Sequence, residues 1–177
     1  GALLLEAEDS EEFLTDTIRP YGEFAVPRSS FFQINTEMAS KLAAEFLRIV
    51  EEVKPEVFIE LYCGCGVFSV LAAEAGVGKV YGVELDADAV RAANENLHEH
   101  GLPHCKFLAG DAVRMLGQLP LQTKQRPLML VDPPRTGLER PVIDALSGSA
   151  AHDLVYVSCG PDTLARDLAL FRRQGGT

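Results

Sequence analysis

The chain has 177 residues, enough for one domain with a full hydrophobic core, and 47% of them are hydrophobic. No apolar run approaches the roughly 20 residues that a membrane span needs, and the acidic start lacks the basic n-region of a secretory signal. The net charge of −10 and the scattered Lys and Arg residues argue against tight nucleic-acid binding by this segment alone, because phosphate affinity needs clustered cations.

Residues 1–35 are predicted to form a short β-rich segment that leads into the main domain, which spans residues 36–177. The strand-like stretches are LLLEAE, FLTDTI and EFAV, and the run Arg19-Pro20-Tyr21-Gly22 predicts a turn between the last two. These pieces are too short to form a domain by themselves.

Beyond Thr36, helical patterns alternate with apolar strand-like runs. The first predicted helix places Met38, Leu42, Phe46 and Val50 on one face. The predicted strands cover residues 57–61, 79–84, 105–108, 127–131 and 154–157, and the helices cover 36–53, 86–98, 141–146 and 162–171, with shorter helical stretches around 71–75 and 113–116. This alternation, with strands that are almost entirely apolar, predicts a doubly wound α/β fold with a parallel sheet covered on both faces.

The turns after the predicted strands contain the candidate site residues, because ligands bind at the carboxyl ends of parallel strands. Glycines, carboxylates and thiols stand in or beside these turns. In chain order the turns are Tyr62-Cys63-Gly64-Cys65-Gly66, Glu84-Leu85-Asp86, Gly110-Asp111, Asp132-Pro133-Pro134-Arg135 and Ser158-Cys159-Gly160-Pro161.

The first three turns suggest an adenosine ligand. Gly64 and Gly66 would let a ligand approach backbone N–H groups, but Ser69 replaces the third glycine of a dinucleotide fingerprint. Glu84 ends the next strand, where a carboxylate can bind both ribose hydroxyls. Asp111 suits an adenine edge and the N-cap of the next helix about equally. A ribose, an adenine and a glycine turn without the dinucleotide pattern indicate S-adenosylmethionine.

The fourth turn is stiff. Two prolines restrict Asp132 to extended geometry, which fixes polar groups at the edge of a ligand site. Many amine-methylating enzymes have an aromatic residue after the two prolines. Arg135 occupies that place here, which speaks against attack by an exocyclic amine.

Cys159 stands between an apolar strand and a helix predicted to begin near Asp162. A helix N-terminus favours a thiolate, so Cys159 is a candidate nucleophile, although a strand-end cysteine alone is more often a packing residue. The other three, Cys63, Cys65 and Cys105, are predicted to be packing residues. The four cysteines fit neither a zinc spacing nor a disulfide framework, so we predict no metal in this segment and a reducing, cytoplasmic location.

Five stretches together resemble one family. In order, with fitting spacing from about residue 22 to the last residue, they are SFFQIN (30–35), ELYCGCGVFSV (60–70), GVELDADAV (82–90), DPPRTGL (132–138) and YVSCGPDTLARDL (156–168). They look like the RNA uracil-5-methyltransferases that act on tRNA and 23S rRNA. The resemblance implies a Rossmann-like S-adenosylmethionine-dependent methyltransferase sheet, methylation of carbon 5 of uridine, and RNA (tRNA or rRNA) as the partner.

The resemblance also implies roles for matching positions. Cys159 would be the nucleophile that adds to carbon 6 of uracil, and Asp132 would lie between the cofactor and the target base. The positions that would contact S-adenosylmethionine are Gln33, Tyr62, Gly64, Gly66, Glu84, Asp111 and Asp132.

The chain departs from the family pattern in several places. Val67 stands where many members have a polar residue, and Gly160 stands where an Asn follows the cysteine. The family's general-base Glu lies beyond the last helix, and its RNA-binding barrel precedes the domain. We therefore expect a C-terminally truncated piece of a longer protein, without its last strands, that turns over weakly or not at all and binds RNA mainly through other domains.

Two other readings of the residues stay open. The chain could methylate another nucleobase position or a small molecule, or it could be a non-catalytic module that binds the cofactor or RNA. RNA cytosine-5 enzymes are disfavoured, because they usually carry a cysteine directly after the proline of the fourth turn, where this chain has Pro134-Arg135.

Overall fold

The structure, a computed structural model, describes residues 13–28, 36–119, 127–149 and 153–174. The strands in these ranges are β1 (Phe13–Ile18), β2 (Gly22–Pro27), β3 (Val57–Leu61), β4 (Lys79–Glu84), β5 (Cys105–Ala109), β6 (Leu128–Val131) and β7 (Asp153–Tyr156). The helices are α1 (Thr36–Val53), α2 (Val67–Glu74), α3 (Ala87–Glu99), α4 (Ala112–Leu116), α5 (Arg140–Ser147) and α6 (Pro161–Arg173). The predicted elements are confirmed to within about two residues at their ends, except that α2 begins at Val67, about four residues before the predicted stretch. LLLEAE lies outside the described residues.

The main sheet has the strand order β5-β4-β3-β6-β7, and all neighbouring pairs are parallel. Alternate side chains of β3 enter two different hydrophobic clusters, with Phe58 on the side of α1 and α2 and Ile59 on the side of α4 and α5. Helices therefore cover both faces, and the predicted doubly wound fold is confirmed. The order reverses between β3 and β6, which is where doubly wound sheets bind ligands.

The longest described helix, α1, packs on the sheet through a face that differs from the predicted one. Its buried residues are Ala39, Ala43, Phe46 and Val50, whereas Met38 is 55% exposed. Small alanine side chains let the helix approach closely, and the Phe46 ring lies 5.1 Å from the Phe58 ring of β3. Among the described helices, none combines the length and apolar character that crossing a membrane requires.

The antiparallel hairpin of β1 and β2 packs on the main domain. Phe24 is fully buried in the cluster that also contains Phe46 and Phe58. The side-chain oxygen of Asn96 accepts a hydrogen bond from the Ala25 N–H at 2.6 Å, and its amide donates to the carbonyl of Cys65 at 2.9 Å. One buried side chain of α3 thus joins the hairpin to the turn after β3. The predicted domain boundary at residue 35 stays a prediction.

Candidate active site

The residues predicted to form the site follow five parallel strands, and the structure brings them to one edge of the sheet. Gln33 lies outside the described residues. The others follow or end their strands at this edge, with Tyr62, Gly64 and Gly66 after β3, Glu84 at the end of β4, Asp111 after β5, Asp132 after β6 and Cys159 after β7.

The turn after β3 has an unusual backbone. Tyr62, Gly64 and Gly66 have φ angles of 63°, 52° and 79°, all in the left-handed region. The turn is closed by a hydrogen bond from the Gly66 N–H to the Cys63 carbonyl at 2.8 Å. A left-handed tyrosine costs on the order of 1–3 kcal/mol, and such strain is typical of functional sites. Sequence patterns did not predict the conformation of Tyr62.

The two glycines have different constraints. A Cβ at Gly66 would overlap the Phe107 ring of β5, so only glycine fits between the turn and the sheet. A Cβ at Gly64 would have no atom within 4 Å. The space in front of Gly64 is therefore open to a ligand, whereas the observed constraint on Gly66 is close packing.

Glu84 is held rigidly against the turn. One carboxylate oxygen accepts a hydrogen bond from the Gly64 N–H at 3.0 Å. The other accepts hydrogen bonds from the N–H groups of Leu85 and Asp86 at 2.7 and 2.9 Å. Because each carboxylate oxygen has two acceptor sites, the oxygen bound to Gly64 can accept one further hydrogen bond, from a ligand hydroxyl group. The geometry suits the predicted role of Glu84 as a ribose-binding carboxylate.

Ser69, which replaces a fingerprint glycine, has a structural partner in the buried Glu60 of β3. One Glu60 oxygen accepts hydrogen bonds from the Ser69 N–H at 2.9 Å and from the Ser69 hydroxyl at 2.6 Å. Burial raises the pKa of Glu60 to about 8, and the nearby charges of Asp132 and Glu84 add to this, although the Ser69 hydroxyl opposes it. Glu60 is therefore largely protonated at neutral pH, and it fixes α2 to the sheet.

Asp132 is half-buried where β6 ends. Its N–H donates to the Leu61 carbonyl at 3.3 Å, which continues the β3–β6 pairing by one residue. Burial raises the pKa of Asp132 to about 6, so its carboxyl group is mostly ionised at neutral pH. The prolines that follow hold this charge at the point where the strand order reverses.

Several carboxylates lie near Tyr62 at this edge of the sheet. Burial raises the pKa of Tyr62 to about 12, and the charges of Glu139, Asp111 and Glu84 act in the same direction. Asp111 also caps α4, since its side chain accepts a hydrogen bond from the Arg114 N–H at 3.0 Å. The capping role is thus confirmed, and the adenine contact stays a prediction. Carboxylates at this edge favour a ligand with positive charge.

Cys159 is the exposed one of the four cysteines. The turn around it is fixed, because the Ser158 hydroxyl accepts a hydrogen bond from the Gly160 N–H at 3.1 Å and the Thr163 hydroxyl donates to the Gly160 carbonyl at 2.9 Å. Gly160 is the N-cap of α6, which begins at Pro161, one residue before the predicted start near Asp162. The thiol is therefore accessible to a large substrate beside a helix N-terminus.

The other three cysteines lie within the fold, as predicted. Burial raises the pKa of the Cys65 thiol to about 12 and that of Cys105 to about 11, and it raises the pKa of Cys63 well above its ordinary value. Buried neutral thiols are poor nucleophiles. Cys159 is the cysteine whose position suits attack on a substrate.

Two buried polar side chains near the site were missed by sequence reasoning. Asn96 is 1% exposed and Asp167 is 2% exposed, although both lie on amphipathic helices, where polar residues normally face water. Asp167 lies in the family motif YVSCGPDTLARDL (156–168), but the motif did not indicate what the Asp167 side chain contacts. Leu85 was also missed; it is 75% exposed beside Glu84 and offers an apolar surface to a ligand.

Three exposed side chains of α3, Glu95, His98 and Glu99, have possible ligand atoms within 4.8 Å of one another. Exposed acidic clusters of this kind are common without an ion. None of the three takes part in the turns at the carboxyl edge of the sheet.

Comparison with known proteins identifies the family. Residues 11–174 match the family model described as tRNA (Uracil-5-)-methyltransferase. The chain belongs to this family. An uncharacterized RNA methyltransferase of Clostridium acetobutylicum is 34% identical over 166 residues, which are 93% of this chain and 35% of that protein. One from Protochlamydia amoebophila is 36% identical over 146 residues, covering 82% of this chain and 33% of the relative.

Solved structures agree with this membership of the uracil-5-methyltransferase family. The Pyrococcus abyssi tRNA (uracil-54, C5)-methyltransferase, in complex with S-adenosyl-L-homocysteine, superposes with a TM-score of 0.74 at 27% identity, covering 90% of this chain and 38% of that one. A precorrin-6y C5,15-methyltransferase from Geobacter metallireducens has a TM-score of 0.67 at 16% identity and covers 86% of this chain and 76% of its own, which shows the shared fold alone. The predicted family and the Rossmann-like fold are confirmed. The chain spans about a third of the length of the curated relatives that it matches.

Proposed function

We propose that this chain carries the catalytic site of an enzyme that methylates carbon 5 of uridine in RNA, with S-adenosylmethionine as methyl donor and Cys159 as covalent nucleophile. The observation that carries the proposal is the placement of an exposed thiol on the same sheet edge as the Glu84–Gly64 site. Family membership supports the reaction class, and the exposure of Cys159 supports its role.

The residues at this edge fit S-adenosylmethionine. Gly64 leaves open space, Glu84 presents a fixed carboxylate, and the surrounding acids favour a cationic sulfur. The S-adenosyl-L-homocysteine in the Pyrococcus abyssi structure supports the same choice. Glu84 would bind the ribose and Asp111 the adenine edge. Gln33, Tyr62 and Gly66 complete the proposed set of contacts.

The need for Cys159 follows from the chemistry of uracil. Carbon 5 is a poor nucleophile until a thiolate adds to carbon 6, which forms a sulfur–carbon bond and moves the electron pair of the double bond onto carbon 5 and the adjacent carbonyl. S-adenosylmethionine, when bound, supplies a methyl group to carbon 5 and keeps the electron pair of the broken bond. A base then takes the proton from carbon 5, and the returning electron pair expels the Cys159 thiolate.

Asp132 would lie between the two reactants. Its carboxylate is mostly ionised at neutral pH and is held by a stiff turn, so it can accept a hydrogen bond from the uracil ring and orient it. The net charge of −10 favours RNA binding mainly through other parts of a longer protein.

The test uses RNA that contains 5-fluorouridine, because fluorine cannot leave as a proton and the adduct therefore persists. The longest protein form that carries this chain is mixed with this RNA and S-adenosylmethionine, and the products are analysed by denaturing mass spectrometry. We expect a covalent adduct that is lost in Cys159→Ala and kept in the control Cys105→Ala. An adduct that survives Cys159→Ala would overturn the proposal, as would a methylated nucleoside other than 5-methyluridine from a parallel reaction with RNA that contains ordinary uridine.

A further inference from the structure

A single carboxylate oxygen joins the two segments that lead to the proposed catalytic residues. One oxygen of Asp167, on α6, accepts a hydrogen bond from the Tyr156 hydroxyl at 2.7 Å and another from the Leu138 N–H at 2.7 Å. Tyr156 ends β7, three residues before Cys159. Leu138 ends the DPPRTGL loop, which begins at Asp132. Asp167 thus connects both segments directly.

The second oxygen of Asp167 is bound by Arg166. The guanidinium donates to it through two nitrogens at 2.8 and 2.6 Å, and it also donates to the carbonyl of Thr136 at 2.9 Å. Arg166 therefore holds the same DPPRTGL loop from a second point. The Asp167 side chain is 2% exposed, so its carboxylate is shielded from water, whereas the Arg166 side chain is 50% exposed.

The loop is pressed against this pair of side chains. Gly137 has a φ angle of 77°, and a Cβ there would lie 2.5 Å from the Asp167 carboxylate and 2.6 Å from the Arg166 guanidinium. The pKa of Asp167 is lowered even though burial opposes its charge, because the hydrogen bonds from Tyr156, Leu138 and Arg166 outweigh that effect. Asp167 is thus a charged anchor at neutral pH, with one oxygen bound to both segments and the other bound to Arg166.

We propose that Asp167 is a positioning residue, which sets the separation and orientation of the Asp132 turn relative to the Cys159 turn. The inference rests on the proposed function, since it assigns the alignment of nucleophile and target base to a group that touches neither. A misplacement of about 1 Å between reacting groups can lower a rate about 100-fold, so the geometry of this link bears directly on the covalent step.

Asp167→Asn is the informative variant, because it keeps the size of the side chain while it removes the charge that binds Arg166. The matched control is Asp144→Asn, which removes an exposed carboxylate paired with Arg140 at 2.8 Å on the neighbouring helix α5. Both variants are made in the longest protein form that carries this chain. The measurements are the single-turnover rate of methyl transfer to uridine RNA, the KM for S-adenosylmethionine and the Tm.

We expect Asp167→Asn to lower the single-turnover rate by about 10- to 100-fold while the KM for S-adenosylmethionine changes less than about threefold. Asp144→Asn should leave both values within about twofold. A folded Asp167→Asn protein with an unchanged rate overturns the inference, as does a rate that falls only in proportion to the folded fraction.

If Asp167→Asn does not fold, Tyr156→Phe tests the positioning role instead, because it removes one hydrogen bond to the Asp167 carboxylate and keeps the aromatic ring. A folded Tyr156→Phe protein with a rate lowered about threefold or more supports the positioning role, and an unchanged rate overturns it. Failure of the wild-type protein to methylate uridine overturns the proposed function, and the inference with it. An active wild type with unaffected variants overturns the inference alone.

Discussion

The carboxylate of Glu84, at the end of β4, accepts a hydrogen bond from the backbone N–H of Gly64 at 3.0 Å. The two residues are separated by 20 positions in the sequence, and the contact joins a strand end to the glycine turn of the neighbouring strand. The acidic group and the open turn of the proposed cofactor site therefore form one rigid unit.

Glu84→Ala should weaken the binding of S-adenosylmethionine by about 10- to 100-fold, because hydrogen bonds to a charged group contribute about 1.5–3 kcal/mol. Isothermal titration calorimetry measures the Kd. The control is Glu52→Ala on α1, an exposed acid whose loss changes the net charge equally. A Kd for Glu84→Ala within about twofold of wild type would contradict the assignment of the ribose site.

Alanine substitutions at Gly64 and Gly66 should have different effects, one mainly on cofactor binding and the other mainly on the stability of the fold. Gly66→Ala is expected to lower the free energy of unfolding by about 2–4 kcal/mol, because the left-handed backbone is strained and the methyl group overlaps Phe107. Gly64→Ala should lower it by only about 1–2 kcal/mol but weaken cofactor binding, since its methyl group enters open space. Urea unfolding and calorimetry test both, and equal effects of the two changes on stability would show that packing at Gly66 is unimportant.

Asn96→Ala should destabilise the protein by about 1–3 kcal/mol, because it leaves the part-buried N–H of Ala25 and the buried carbonyl of Cys65 without their partner. Asn94→Ala, two residues earlier on the same helix, removes an exposed side chain and should change the stability by less than about 0.5 kcal/mol. Chemical unfolding monitored by circular dichroism measures the difference. Similar values for the two variants would show that the link between hairpin and glycine turn does not stabilise the fold.

Glu60→Gln should make the protein more stable than wild type by an amount that grows between about pH 4.5 and 8 and reaches on the order of a few kcal/mol. The pKa of Glu60 is raised to about 8 in the folded state, so the folded protein binds this proton more tightly than the unfolded chain. The free energy of unfolding therefore falls as the pH rises from about 4.5 to 8, and it is highest when the group is protonated in both states. Glutamine stays neutral and removes this dependence.

The measurement for Glu60→Gln is urea unfolding at pH 5, 6.5 and 8. The stability difference from wild type should be small at pH 5 and grow toward pH 8. The control Glu56→Gln, at an exposed position before β3, should show no such trend. A difference for Glu60→Gln that is constant across the three pH values would mean that the folded state does not hold Glu60 protonated.

Local sequence patterns predicted most secondary structure because apolar strands and glycine turns are readable over a few residues. The predicted face of α1 was wrong at its start, since Met38 is exposed and Ala39 is buried. Hydrophobicity alone favours burial of the larger Met38 side chain, but α1 lies so close to the sheet that the smaller Ala39 side chain is buried instead. That choice depends on the neighbouring helix and sheet and not on α1 alone.

The motifs placed the site at one sheet edge, because in a parallel sheet all carboxyl ends point the same way. They could not show which glycine faces open space, because the difference between Gly64 and Gly66 depends on Phe107, which is more than 40 residues away. They also could not give Asp111 one role, since capping and ligand binding require the same residue type. The hydrogen bond to Arg114 establishes the first role only.

The sequence by itself determined the order of elements, the doubly wound fold, the family and the candidates Glu84, Asp132 and Cys159, because these depend on local periodicity and on short motifs. The tertiary structure alone decided that Asp167 and Asn96 are buried and what they bind. Both are polar residues on amphipathic helices, and a sequence pattern assigns such residues to the face of the helix that contacts solvent. Burial becomes favourable only where Tyr156, Leu138 and Arg166, or the backbone of the hairpin and glycine turn, supply hydrogen bonds across elements that are distant in sequence.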